Sequence, residues 1–356
     1  MILFKSCLNK VKITHFSDCA PKNNINKTFL IRQMLTELLT VIAGILIIVL
    51  LAEFIIKISL KVAHHYNWSG TFVGLTILSI GTSIPEIMTH IIGSANILKD
   101  PASMNTLSAL LVGTNIGSDI FQQNFVLPLI GIIGTIMIAK KNLFIEMGCL
   151  IIATMLVWLT AIGGYISRFE GFILVAAYIG YLIYISRKNV SYYHKPIKEK
   201  LTFHIGWAIL LLLASFLVMA FSADKVLASS EILVKQFNIS ASFFGIILLG
   251  IATALPELTT ALMAIIKKKR DISAGILIGS NITNPLFGIG IGALISGYTI
   301  PDVIVWYDLP IKIVTAFIIL HFLWKRKDLT KKEAILLITV FFLYVLIRQY
   351  FFATDF

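Results

Sequence analysis

The amino-acid sequence predicts an all-α integral membrane protein with about ten transmembrane helices in two inverted five-helix repeats. Of its 356 residues, 58% are apolar and only 13% are charged, whereas an average soluble domain has roughly 25% charged residues. Apolar runs near the ~20 residues that cross a bilayer recur from residue 36 to the C-terminus. The second half also repeats polar motifs of the first. These three observations exclude a soluble globular domain.

Each predicted span is an apolar run bounded by polar or charged residues. In chain order the spans are 36–62, 70–97, 106–137, 142–163 and 169–186, then 203–229, 241–266, 272–297, 303–324 and 333–351. Residues 1–33 are polar and basic and lack the apolar core of a signal peptide, so they are predicted to be a disordered tail, with Met34 as a second candidate start. The predicted domains are therefore a first repeat (34–186), a cytoplasmic linker (187–202) and a second repeat (203–356).

Residues of the two halves match at constant offsets. The matching pairs are Thr82/Thr253, Pro85/Pro256, Glu86/Glu257 and Glu53/Asp224 at an offset of 171 residues, and Gly113/Gly275, Gly117/Gly279 and Ser118/Ser280 at 162. Because each half has an odd number of spans, the second repeat is inserted upside-down relative to the first.

The positive charges favour one orientation of this bundle. With the linker in the cytoplasm, the inside connections hold eighteen Lys and Arg residues and the outside connections hold four. The net charge of +12 therefore reflects membrane orientation rather than nucleic-acid binding. Both termini are predicted to be extracytoplasmic. The three cysteines, Cys7, Cys19 and Cys149, have neither disulfide nor zinc-site spacing.

Two polar motifs, GTSIPE (81–86) and GIATALPE (250–257), interrupt otherwise apolar spans. Glycine and proline at matching positions predict broken helices, which are typical of secondary transporters with a midplane site. Each break is followed by an acid, Glu86 or Glu257. The partner helices carry Ser118 and Gln122, or Ser280 and Asn284, at the i, i+4 spacing that shares one helix face. Carboxylates, hydroxyls and amides give the six to eight oxygens that Ca2+ prefers.

GTSIPE with GTNIGSDIFQ, and ATALPE with GILIGSNITN, resemble the two alpha-repeats of the cation/Ca2+ exchanger superfamily, the sodium/calcium exchangers and their prokaryotic relatives. The resemblance runs from about residue 36 to the end and implies a minimal prokaryotic-type antiporter that works as a monomer. It implies exchange of Ca2+, or a similar divalent cation, against Na+ or H+, with no cofactor. The ion ligands that it implies are Glu86, Glu257, Thr82, Ser83, Thr253, Ser118, Gln122, Ser280 and Asn284.

The sequence departs from the family pattern at three places. Ala254 replaces an expected hydroxyl residue, Gln122 is longer than the usual Asn, and Asp119 replaces the Asn that follows Gly-Ser. These changes leave the ions open. Two acids give the site a charge of at most −2, which predicts electroneutral exchange of two monovalent ions for one divalent ion. Asp119, for which a structural role is favoured, is the residue that could add a third acid.

Other interpretations of these residues stay open. The two glutamates could serve as acid and base of a membrane-embedded enzyme, although no nucleophile, metal dyad or phosphate loop accompanies them. A cation channel is less favoured because channels usually build pores from oligomeric rings. The glutamates could also be structural. Glu53 and Asp224 are each predicted to form an ion pair near the membrane interface, or at most to act in gating, rather than to bind the ion. His64, His65, His90 and His194 are predicted to be interfacial or packing residues.

Overall fold

A computed structural model describes residues 24–65, 79–133, 140–187, 205–266, 270–326, 329–352 and 354–355. Within these ranges the chain is almost entirely helical, in agreement with the predicted class. Nine helical segments of the described chain are long and apolar enough to span a membrane. Of the remaining predicted span, 70–97, only the part from residue 79 is described.

The described residues of the first half form seven α-helices. They are α1 (Asn24–His65), α2 (Ser79–Thr82), α3 (Ile84–Lys99), α4 (Met104–Phe121), α5 (Leu127–Ile133), α6 (Lys140–Ala161) and α7 (Arg168–Arg187), with a 3-10 turn at Pro101–Ser103, a π-helical segment at Gln122–Val126 and strand β1 at Tyr165–Ile166. Helix α1 begins twelve residues before the predicted start of its span, since no Gly or Pro interrupts the chain from Asn24 until Gly44. The last part of the predicted disordered tail is therefore helical. Residues 1–23 lie outside the described chain.

The described residues of the second half form eight α-helices. They are α8 (Ile205–Phe237), α9 (Ala241–Phe244), α10 (Ile251–Thr253), α11 (Leu255–Ile266), α12 (Arg270–Thr283), α13 (Gly290–Ser296), α14 (Leu309–Arg326) and α15 (Lys331–Phe351), with strand β2 at Tyr298–Thr299 and π-helical segments at Gly245–Gly250, Asn284–Ile289 and Ile304–Asp308. Helix α8 continues past the predicted residue 229 and ends just before Asn238, whose φ of 50° is left-handed. The linker, apart from Arg187 at the end of α7, lies outside the described residues.

Three contacts join segments that the predicted inverted topology places on one side of the bundle. Strand β1, which follows α6, pairs antiparallel with β2, which follows α13. The Asp355 carboxylate near the C-terminus accepts hydrogen bonds from the Ser240 hydroxyl at 2.6 Å and the Ser242 backbone N–H at 3.0 Å. Ser229 of α8 donates to Glu37 of α1 at 2.6 Å. The described contacts thus agree with two five-helix repeats of opposite direction.

Glycines allow the two repeats to approach closely at the centre. Gly113 and Gly117 lie one turn apart on α4 and face the backbone of Ser242 and Ile246. From the other side, a Cβ atom on Gly250 would lie 2.7 Å from the Ser118 backbone nitrogen. Small residues at this spacing are typical of tight helix crossings in membranes. The crossing brings the Ser118 helix of the first repeat against the interrupted helix of the second.

Candidate functional site

Both proline motifs interrupt their helices at equivalent positions. Ser83 (φ −85°, ψ 7°) separates α2 from α3, and Ala254 (φ −77°, ψ −3°) separates α10 from α11. An α-helical ψ is near −42°, so the chain turns out of the helix at each residue. Pro85 and Pro256 have no N–H to donate to the carbonyl four residues earlier. The predicted breaks are confirmed, and a glutamate stands in the first turn after each.

The two halves build the same chain of three side chains. In the first, Ser118 Oγ donates to Glu86 Oε1 at 3.0 Å, and Gln122 Nε2 donates to Ser118 Oγ at 3.1 Å. In the second, Ser280 Oγ donates to Glu257 Oε1 at 3.2 Å. Asn284 Nδ2 completes it by donating to Ser280 Oγ at 3.3 Å. The i, i+4 spacing therefore places each amide beside its serine.

Side chains of one repeat meet those of the other. The Ser83 hydroxyl donates to Ser280 Oγ at 3.4 Å. Thr253, whose hydroxyl donates to the Gly250 carbonyl at 3.3 Å, lies beside the Glu86 carboxylate. Glu86 and Glu257 are close enough for their charges to interact. Every predicted ligand is buried, including Thr82 next to the first break.

Several buried oxygens of this cluster lack a hydrogen-bond donor. Within the part of the chain that the structure describes, Glu86 Oε2, Glu257 Oε2 and Asn284 Oδ1 have no partner. A buried acceptor without a donor is costly, whereas carboxylate and amide oxygens are ligands of Ca2+. The described ranges contain no group of three or more His, Cys, Asp or Glu side chains arranged for a metal ion. A cation here would therefore depend on two carboxylates supplemented by hydroxyl and amide oxygens.

A buried ion pair adjoins the cluster, and the sequence analysis did not find it. Asp119 Oδ1 accepts a hydrogen bond from Asn284 Nδ2 at 2.9 Å, and Asp119 Oδ2 pairs with the Lys312 ammonium of α14. Both side chains of this charged pair, Asp119 and Lys312, are 0% exposed. A lysine inside an apolar span is costly and needs a partner. The position of Lys312 inside the predicted span 303–324 could therefore have indicated a buried ion pair from the sequence alone.

The pseudo-twofold relation between the halves gives this pair an uncharged counterpart. The 162-residue offset relates Asp119 to Asn281 and Lys312 to Leu150. Asn281 Nδ2 donates to Gln122 Oε1 at 3.3 Å, which mirrors the contact between Asp119 and Asn284. Asn281 and Leu150 line the same small cavity. Asn281 and Leu150 are called the neutral pair below.

Other polar residues singled out by sequence make their contacts outside the two chains of glutamate, serine and amide. Asp224 accepts a hydrogen bond from Asn96 at 2.8 Å, and Glu53 pairs with Lys57 at 3.6 Å. The His90 ring is buried and hydrogen-bonds to Tyr298 at 2.9 Å and Asn115 at 3.2 Å, as expected of a packing residue. The side chains of His64 and His65, and all of His194, lie outside the described part of the chain. Cys149 is a free thiol.

A narrow crevice beside α1 and α8 reaches the cluster. Its apolar wall includes Ile48 of α1 and Val226 of α8. Thr89, Thr114 and Thr253 line its inner side. Because Thr253 adjoins Glu86, the crevice lies one side chain away from the Glu86 carboxylate.

The family model described as "Sodium/calcium exchanger protein" matches residues 36–187 and 207–350, which is most of the chain. The chain belongs to the sodium/calcium exchanger family. It is 25% identical over 302 residues to the inner membrane protein YrbG of Escherichia coli, covering 82% of this chain and 90% of that protein. It is 21% identical over 352 residues to the sodium/calcium exchanger MaX1 of Methanosarcina acetivorans, covering 88% and 98%.

The fold is shared with a solved exchanger. The structure of the sodium/calcium exchanger from Methanococcus jannaschii superposes with a TM-score of 0.57 at 22% identity, covering 88% of this chain and 98% of that chain. At this identity the match shows the fold alone. Family and fold together make the protein a multi-pass membrane cation antiporter, which argues against the membrane-embedded enzyme.

Proposed function

We propose that the protein exchanges Ca2+, or a similar divalent cation, against Na+ or H+ by alternating access around one midplane site. The observation that supports this most is the pair of buried glutamates. Glu86 and Glu257 come from oppositely directed repeats, and each has one oxygen bound by a serine and the other without a donor. Because a single chain supplies both carboxylates, a monomer is sufficient.

The proposed ligands explain why two kinds of ion would compete. Two carboxylates balance one divalent ion or two monovalent ions, including two protons. Ca2+ takes six to eight oxygens at about 2.3–2.6 Å. The serine, threonine, glutamine and asparagine side chains, and carbonyls freed at the breaks, would complete that number. The protein acts as an exchanger if it changes between states open to opposite sides of the membrane only when ions occupy the site.

Counter-ion-dependent uptake of radioactive Ca2+ into proteoliposomes tests this function. A Na+ or pH gradient of the correct direction should drive uptake by the wild type. Glu86→Gln and Glu257→Gln should each reduce it at least 100-fold, because each removes half of the negative charge of the site and little of its shape. Glu231→Gln is the matched control, since Glu231 pairs with Lys235 in a more exposed position. Normal uptake by both site variants would overturn the proposal, and Ca2+ flux without any counter-ion would indicate a channel.

We also propose that the 187–202 linker is cytoplasmic and that both termini are extracytoplasmic. The charge bias of the connections supports this orientation. In a cysteine-free background, a single cysteine at position 302, an exposed position near β2, should react with an impermeant thiol reagent added to intact cells. A cysteine at position 195 should not react. The opposite pattern would invert the orientation.

A further inference from the structure

We propose that Lys312 is a covalently attached cation that sets the exchange ratio of the transport site. Its fixed positive charge replaces the charge of a third monovalent ion. Exchange is therefore limited to two monovalent ions per divalent ion. The inference rests on the proposed function of Glu86 and Glu257 as the transport site. It adds a residue, Lys312, that is not itself a ligand.

The charged pair is directly connected to the proposed ligands. Asp119 follows Ser118, which donates to Glu86. Asp119 also accepts from Asn284, which in turn contacts Ser280. The negative charge of Asp119 acts on both glutamates. Lys312 is therefore joined through one carboxylate to both halves of the site.

The neutral pair shows that the fold does not need a charge at this place. Asn281 reaches the opposite amide, Gln122, as Asp119 reaches Asn284. Leu150 stands where the offset places the counterpart of Lys312, and it is buried like Lys312. A buried ion pair is poor at stabilising a fold compared with apolar residues of similar volume. The charges of Asp119 and Lys312 therefore call for a functional explanation.

The charge balance of the site supplies a functional explanation for this pair. The groups concerned are three buried carboxylates and one buried ammonium, and with all four ionised their net charge is −2. One divalent or two monovalent ions neutralise that charge, and a third would leave an uncompensated positive charge in a medium of low dielectric constant. Without Lys312 the net charge would be −3, and three monovalent ions would balance it. Without Asp119 it would be −1, and a divalent ion would be disfavoured.

Four proteins test the idea in proteoliposomes under a clamped membrane potential: the wild type, Lys312→Leu, Asp119→Asn and the double variant. The double variant places the residues of the neutral pair, Asn and Leu, at positions 119 and 312. The wild type should show Ca2+ accumulation independent of potential. Lys312→Leu should move one net charge per cycle, so that about 60 mV changes steady-state accumulation tenfold. Asp119→Asn should weaken Ca2+ binding at least tenfold, and adding Lys312→Leu should restore both Ca2+ binding and potential-independent exchange.

Asp224→Asn is the control for removal of a carboxylate from the bundle. Asp224 contacts Asn96, which lies roughly 15 Å along α3 from Glu86, so this variant should remain independent of potential. If Lys312→Leu does not elute as a monodisperse protein, the double variant decides the test. It should recover the Ca2+ binding that Asp119→Asn loses. Potential-dependent wild-type exchange, a potential-independent Lys312→Leu variant, or a folded double variant without exchange would overturn the role of Lys312. None of these outcomes affects the proposed function, which fails only if wild-type uptake needs no counter-ion or survives loss of the glutamates.

Discussion

The two halves of the site are alike where they face each other and different one step further out. Both have a helix break, a glutamate after it and a serine that donates to that glutamate, at 3.0 Å in the first half and 3.2 Å in the second. Behind these, the side of the site at Asp119 has the charged pair and the side at Asn281 has the neutral pair. The shared parts are those that a cation would touch in either orientation of an inverted repeat. The two pairs differ in charge, since an amide and a leucine stand in place of the carboxylate and the ammonium.

Transfer of the charged pair to the positions of the neutral pair gives the largest expected effect. Asn281→Asp adds a carboxylate that no lysine compensates, so exchange should move one net charge per cycle. An imposed potential of about 120 mV should then change steady-state Ca2+ accumulation roughly 100-fold. Adding Leu150→Lys should abolish this dependence, because the new ammonium can use the small cavity between the two positions. The measurement is Ca2+ accumulation in potential-clamped proteoliposomes.

The single variant with Leu150→Lys controls for the lysine alone and should weaken Ca2+ binding, since it lowers the negative charge. Gln122 can still bond the new carboxylate by turning its amide so that Nε2 donates. If the variant with both substitutions depends on potential as strongly as Asn281→Asp, then charge compensation at this place does not set the ratio.

The serines test the shared part of the site. Ser118→Ala and Ser280→Ala each remove the donor to one glutamate oxygen. A hydrogen bond to a charged group is worth about 1.5–3 kcal/mol, so each variant should weaken Ca2+ activation of exchange roughly tenfold or more. The two effects should agree within about a factor of three, because the geometries match. Ser108→Ala, a buried serine of α4 without a hydrogen-bond partner among the described residues, is the control. A loss confined to one of the two site serines would show that the halves do not bind the ion equally.

Much of the fold and of this shared part could be predicted because they repeat along the chain. The 171-residue offset identified Pro85 with Pro256 and Glu86 with Glu257, and one helix break can be recognised from the other. The pairing of Asp119 with Lys312 could not be found in this way. It joins residues 193 positions apart, and its counterpart, the neutral pair, has no charge to reveal it. Repetition detects symmetric contacts, whereas a departure from symmetry requires the packed structure.

The π-helical segments are a second feature that sequence did not predict. Gln122–Val126 and Asn284–Ile289 both begin at a proposed ligand and lie at the 162-residue offset. A π-turn widens the helix locally and is frequent at functional sites. Hydrophobic periodicity does not detect it, because five or six residues are too few to change the pattern of a span. The predicted i, i+4 contact from each serine to its amide nevertheless holds.

The smallest expected effect concerns the helix breaks, where Ser83 in the first half corresponds to Ala254 in the second. The Ser83 hydroxyl reaches Ser280 at 3.4 Å, and the pseudo-twofold relation directs position 254 toward Ser118. Ala254→Ser would add one neutral oxygen to the site and no charge. A neutral hydrogen bond is worth about 1 kcal/mol. The Na+ concentration that gives half-saturation should therefore fall by no more than about fivefold, and the exchange ratio should not change. Ala252→Ser makes the same substitution at a half-buried position two residues earlier, in α10, and should have no effect. The Na+ dependence of Ca2+ exchange measures both variants. If exchange by Ala254→Ser became dependent on potential, an uncharged oxygen would also set how many monovalent ions bind. That result would contradict the assignment of the exchange ratio to the charges of Asp119 and Lys312 alone.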